Sequence, residues 1–118
     1  MSYDISFKVK AEGTNRWVVV GDCEANTTWN VREIIELSTG LEWRNEENNG
    51  LCKDVIPYIE KGLEELCKNP RKYKKYEPEN GWGDIESTIR FFHDILAAWK
   101  RLIEDDEEIA NVATFWIE

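Results

Sequence analysis

Apolar and polar positions alternate strictly near the start of the chain. Tyr3, Ile5, Phe7 and Val9 fall on one side, Asp4, Ser6, Lys8 and Lys10 on the other. This period of two predicts a strand with one buried face. Glu12-Gly13-Thr14-Asn15 supplies turn chemistry, and the β-branched run Trp17 to Val20 returns as the second strand of a hairpin. After a further turn at Gly21-Asp22, residues 25–30 fit a third strand. Ala25, Thr27 and Trp29 then share one face, and Asn26, Thr28 and Asn30 the other. The same segment also fits a helix start in which Asn30 caps and Glu33 reaches back. Both readings hold if the strand ends where the helix begins.

The pattern then changes to helical spacing. Val31, Ile34, Ile35 and Ser38 share a face that Thr39-Gly40 closes. Residues 45–50 (NEENNG) read as a polar loop. Cys52, Val55, Ile56, Ile59, Leu63, Leu66 and Cys67 form the stripe of a second helix, ended by Asn69-Pro70. Pro57 suits that helix only if it starts near Asp54, which places proline in the first turn. Residues 71–83 read as a second loop. A third helix is predicted from Asp84, its cap, to Ile103, burying Ile85, Ile89, Phe92, Leu96, Trp99 and Ile103. Glu104 to Glu108 is an acidic run that requires solvent, and residues 112–117 are apolar and β-prone. The expectation is one α+β domain over residues 1–118. Its antiparallel sheet has three to four strands, from the N-terminal hairpin, the 25–30 segment and the C-terminal strand, covered by three helices.

Composition narrows the classes. With 42% hydrophobic residues and six Trp in 118 positions, the chain is too apolar to be disordered. A net charge of −9 repels phosphates and anionic lipid, so direct nucleic-acid binding and membrane binding are not expected. A protein with a basic surface is the expected partner, although the same acidity also serves plain solubility. The opening residues lack the basic-then-apolar pattern of a leader, and Cys23, Cys52 and Cys67 have unrelated spacings. A reducing cytoplasmic setting is the expectation. Self-association as a homo-oligomer is compatible with all of this.

Candidate chemistry is sparse. His93 is the single histidine, inside a predicted helix, and no Ser or Cys lies in a nucleophile motif. No metal-ligand spacing and no glycine-rich phosphate loop occurs, so no catalytic residue, metal site or cofactor is assigned. Binding has more support. Trp17 and Trp99 have core periodicity, whereas Trp29, Trp43 and Trp82 flank loops. Such rings either seal a small core or line a pocket. Arg71, Lys72, Lys74 and Lys75 interleave with Tyr73 and Tyr76, a combination that can hold a phosphate by charge and a base by stacking. It equally suits a solvated loop. The candidate set for a nucleotide-type small molecule is Asn26, Trp29, Asn30, Tyr73, Lys74, Lys75 and Trp82. The candidate set for a basic protein partner is Glu104, Asp105, Asp106, Glu107 and Glu108.

Several segments together resemble a known group. Tyr3-Asp4-Ile5, then Asn26-x-Thr28-x-Asn30, then Ile56-Pro57-x-Ile59-Glu60 running to Leu63-Glu64-Glu65-Leu66, keep the order seen in a family of small bacteriophage and prophage proteins. Those share a "YDI" start, an "N-x-T-x-N" segment and an "IP-x-LE-x-x-IEEL" helix. The chain departs from them in its basic loop and its more acidic C-terminal region. The resemblance implies a phage setting. By analogy of setting it implies a non-enzymatic inhibitor of a basic host target, such as a CRISPR or other defence effector. The alternative expectation is a sponge for a nucleotide signal.

Overall fold

Strand β1 (Ser2–Lys10) organises the sheet, and its backbone groups show how. Asp4 and Glu118 exchange hydrogen bonds across one edge, at 2.7 and 2.8 Å, while the Ile5 N–H donates to the Ala25 carbonyl across the other. One edge of β1 therefore serves β5 (Thr114–Ile117). The opposite edge is shared by β3 (Asn26–Thr28) beside residues 2–4 and β2 (Trp17–Val20) beside residues 7–10. Strand β4 (Glu47–Leu51) pairs with the far side of β5, giving the order β2-β1-β5-β4 with β3 attached to β1. All pairings are antiparallel. The computed structural model describes residues 1–45 and 47–118.

The alternation of β1 is realised as expected. Tyr3, Ile5 and Phe7 are buried, and across the sheet Phe115 and Ile117 join them. Against this face pack α1 (Arg32–Thr39), α2 (Cys52–Lys68) and α4 (Ile85–Asp105), through Ile34, Ile35, Val55, Ile59, Phe91, Phe92 and Ile95. Trp43 is the largest buried side chain, with Tyr3, Phe91 and Phe115 edge-on around it at 5.9–6.1 Å between ring centres. The fold is α+β, with two short helices, α3 (Pro70–Tyr73) and α5 (Glu107–Val112), besides the three expected.

The structure corrects the sequence reading at several points. Among the described residues, which leave out Glu46, the sheet has five strands, because residues 47–51 of the expected polar loop pair with β5. Pairing and a bulge between Asn48 and Leu51 make this strand, and alternation does not announce it. Helix α1 follows a 3₁₀ turn, Trp29–Val31, capped by Thr28 and not by Asn30: the Thr28 hydroxyl accepts from the Asn30 N–H. Helix α2 starts at Cys52, so Pro57 sits in the second turn, where the Lys53 carbonyl forgoes its intrahelical partner at an exposed position. Cys67 falls outside the buried stripe. Residues 70–76 are helical turns rather than loop. The buried face of α4 is Ile85, Thr88, Phe91, Phe92, Ile95, Ala98 and Leu102; Ile89, Leu96 and Trp99 flank it, and Ile103 is exposed. Trp17 is not core either. It lies opposite Lys10 on the outer face of the sheet, against Trp116 at 5.2 Å between ring centres.

Candidate functional site

Helix α4 separates the two candidate regions. Its 21 residues span roughly 30 Å at about 1.5 Å per residue, with Trp82 before its start and the acidic run at its end. The start is fixed by Asp84, whose carboxylate accepts from the Ser87 N–H at 2.7 Å while the Ser87 hydroxyl accepts from the Asp84 N–H at 2.9 Å. The end is fixed by Asp106. Its N–H donates to the Leu102 carbonyl at 2.8 Å, and its carboxylate accepts from the Ile109 N–H at 3.1 Å, so one residue closes α4 and opens α5.

The acidic run is therefore an ordered helix–turn–helix. Glu104 and Asp105 complete α4, Asp106 is the joint, and Glu107 and Glu108 form the first turn of α5. All five are exposed. None forms an ion pair among the described residues, where ion pairs lie elsewhere, as between Lys8 and Glu118, Arg32 and Glu36, Arg44 and Glu42, Lys68 and Glu64, and Lys72 and Glu65; Lys100 and Arg101 stand four positions before Glu104 and Asp105. Glu107 and Glu108 suit the positive end of a helix. Glu104 and Asp105 lie at the negative end of α4, where the helix dipole and the carboxylates that follow oppose them, with Lys100 and Arg101 one turn earlier. The same unit exposes two apolar side chains, Ile103 and Val112.

The seven residues of the candidate ligand set border different cavities, Asn26 one between β3 and α4 and Lys74 another beside Glu77 and Asp84. The Asn26 amide donates to Asp4 at 2.7 Å, and the Trp29 indole N–H donates to the Ser2 carbonyl at 2.8 Å while stacking on Tyr3. Both thus tie β3 and the following turn to β1. Asn30 is exposed beside them, and Trp82 is 71% exposed at the loop tip. Tyr73 is buried, its hydroxyl donating to Glu65 at 2.8 Å. Burial first, and then the Glu65 carboxylate, push this phenol up to about 12. The Tyr73 hydrogen bond, followed by the Lys72 cation, holds Glu65 below the usual carboxylate range. Lys74 borders a cleft with Arg71, Glu77, Asp84 and Glu86, and Lys75 folds over the Tyr76 ring at 5.2 Å. The cations of the basic cluster thus meet acids and rings of their own neighbourhood.

No protein-family model, curated protein or solved structure matches the chain. Its function is argued from its own surface.

Two concave features stand out, the first of them including Asn26 of the candidate set. One, of about 320 Å³, lies between β3 and α4 and is bordered by Asn26, Thr28, Gly83, Ser87, Arg90 and Asp94. Gly83 makes it possible: its φ is +97°, and a Cβ there would stand 2.6 Å from Thr28 Cγ2 and 2.7 Å from Val31 Cγ1. The other, of about 270 Å³, is lined by Leu41, Trp43, Arg44, Asn48, Val55 and Phe115. There the buried Trp43 indole N–H has no acceptor among the described residues. Asn26 and Thr28 of the first belong to the Asn-rich segment singled out in the sequence, but its α4 side, and all of the second, carry no local signal. His93 is exposed on α4. No described group of three or more His, Cys, Asp or Glu is placed to hold a metal ion, and no described helix is long and apolar enough to cross a membrane.

Proposed function

We propose that the chain is a non-enzymatic binding protein that inhibits a host target by occupying a basic surface on it. The contact is the helix–turn–helix of Glu104, Asp105, Asp106, Glu107 and Glu108. One observation carries the reading: five consecutive carboxylates are exposed on an ordered helical backbone without an ion-pair partner among the described residues, two of them against a helix dipole, with Ile103 and Val112 exposed on the same unit. Solubility alone needs charge but does not need it ordered or placed where it opposes a helix. A charged rim around an apolar contact is the anatomy of a protein interface. The resemblance to small phage proteins supports a defence effector, such as a CRISPR nuclease with a nucleic-acid groove, as the target class. There the carboxylates would stand where phosphates otherwise sit.

The test is an affinity capture from host lysate using the intact chain and a variant with all five acids replaced by Gln or Asn. Asp106→Asn keeps a capping side chain, so the variant should fold. The expected result is a captured basic protein whose binding weakens steeply with salt and is lost in the variant. A target held equally by both forms, or held equally at low and high salt, refutes the electrostatic contact.

A second reading, a sponge for a nucleotide signal, is supported by the concavity between β3 and α4, which Arg90 borders with a cation and Asn26 with an amide, opposite the carboxylate of Asp94. It predicts a rise in melting temperature with some linear or cyclic nucleotide. A flat response across such a panel removes it.

A further inference from the structure

Strand β2 stands at the end of the strand order, so its outer edge is unpaired in the sheet. The Ala11 N–H donates to the Arg16 carbonyl at 2.8 Å, so residues 11 and 16 form a hydrogen-bonded pair. By the alternation of an antiparallel ladder, Val9–Val18 and Phe7–Val20 are hydrogen-bonded pairs too. The opposite edge of β1 agrees, since there Asp4 faces β5. The N–H and C=O groups of Trp17 and Val19 therefore point away from the sheet. Their side chains do not shield them: Trp17 is 39%, Val18 48% and Val19 59% exposed. Val18 faces the helix side opposite Val9, beyond the reach of the helices, and Val19 faces the outer side opposite Lys8. Natural edge strands are blunted by lysine, proline or a bulge, and residues 17–20 (WVVV) contain none of these.

We propose that a second copy of this chain docks on this edge, β2 against β2 in antiparallel register, about a two-fold axis at Val18. That register places Trp17 opposite Val19 of the second copy, twice, and joins the four outward N–H groups to the four outward carbonyls. Side-chain faces match as well. Trp17 meets Val19 on the outer side, extending the Trp17–Trp116 pair, and Val18 meets Val18 on the helix side. The flanks favour the same orientation, because each Arg16 approaches the strand end of the other copy that carries Asp22. Neither residue has an ion-pair partner within the described chain. A parallel arrangement would instead set Arg16 beside Arg16. The edge is self-complementary in backbone, side chain and charge, which is the requirement for an isologous interface.

Two molecules of charge −9 repel, so the pairing should tighten as salt screens them. Sedimentation velocity from micromolar to millimolar concentration, at low and high salt, reads this directly. The expected result is a monomer–dimer equilibrium that shifts toward dimer with salt, with the Trp17 and Val19 amides gaining hydrogen-exchange protection at high concentration. Val19→Pro removes one outward N–H and leaves the ladder to β1 intact. Val19→Lys adds the charge that natural edges carry. Each should raise the dimer dissociation constant at least about tenfold, while the circular dichroism of the monomer is kept. If one variant fails to fold, the other decides. A chain that stays monomeric at millimolar concentration and high salt, with its edge bare or reserved for a foreign strand, overturns the proposal. So does a dimer that both variants leave unchanged.

Discussion

Gly62 shows how one missing side chain sets the distance between two helices. It is buried in α2, and a Cβ there would stand 2.6 Å from Thr39 Cγ2 on α1 and 3.0 Å from a Phe92 ring carbon on α4. Thr39 cannot yield easily, since its hydroxyl donates to the Ile35 carbonyl at 2.7 Å. Gly62→Ala gains about 1 kcal/mol of helix propensity but forces an overpacking that costs about 1–3 kcal/mol. The expected outcome is a net loss of stability in denaturant titrations; a gain would mean that α1 and α2 are free to move apart. Tyr73 is a second such position. Its phenol ionises near the ordinary 10.0 in the unfolded chain but is pushed up to about 12 in the fold. The unfolded state therefore loses its proton first, and stability present below pH 10 should decline as pH rises toward 12. Cys52, also pushed up to about 12 by burial, adds to the same decline from its ordinary value of 9.0. Tyr73→Phe should cost about 1 kcal/mol at neutral pH for the bond to Glu65, and flatten part of the alkaline slope. Thermal melts of both forms across pH 8–12 check this, and an unchanged slope would place the titration elsewhere.

What was legible in the chain depended on whether a segment's structure is decided locally. The alternation of β1 and the Asp84 cap are local, and both are found as expected. Asp84→Ala removes the acceptor for the Ser87 N–H and should cost about 1 kcal/mol, read as a lower melting temperature. Restoration by Asp84→Asn would confirm that the loss is one of capping. Strand β4 is the opposite case. Residues 47–51 (ENNGL) have strand-poor composition, and only the edge offered by Thr114, Trp116 and Ile117 extends them. The buried face of α4 departs from the apolar periodicity by part of a turn because the small residues Thr88 and Ala98 are buried while the larger Ile103 is not. Periodicity follows size and hydropathy, but burial follows the shape of the opposing sheet. The candidate ligand residues were dispersed for a related reason. Tyr73 reads as part of a basic-aromatic cluster, yet a buried contact with Glu65 of α2, eight positions away, claims it.

The acidic run was legible as solvated charge, but its ordering required the fold, because Asp106 serves two helices at once. That ordering separates stability from binding in a measurable way. Glu104 and Asp105 sit at the negative end of α4 beside three further carboxylates, so the helix dipole and these neighbours oppose their charges, against which Lys100 and Arg101 four positions earlier offer only exposed i,i+4 attraction. A surface selected for stability would not place them there; one selected to meet a basic partner would. Glu104→Gln with Asp105→Asn should therefore raise the melting temperature at low salt, with the gain shrinking as salt screens the repulsion. The same substitutions should weaken capture of a basic target and, by reducing the net negative charge, tighten the pairing of two β2 edges. Stability and self-association rising while partner binding falls would trace all three effects to one charge distribution. A melting temperature that falls on neutralisation would show instead that these carboxylates support the helix end, and would remove the strongest argument that they are there for a partner.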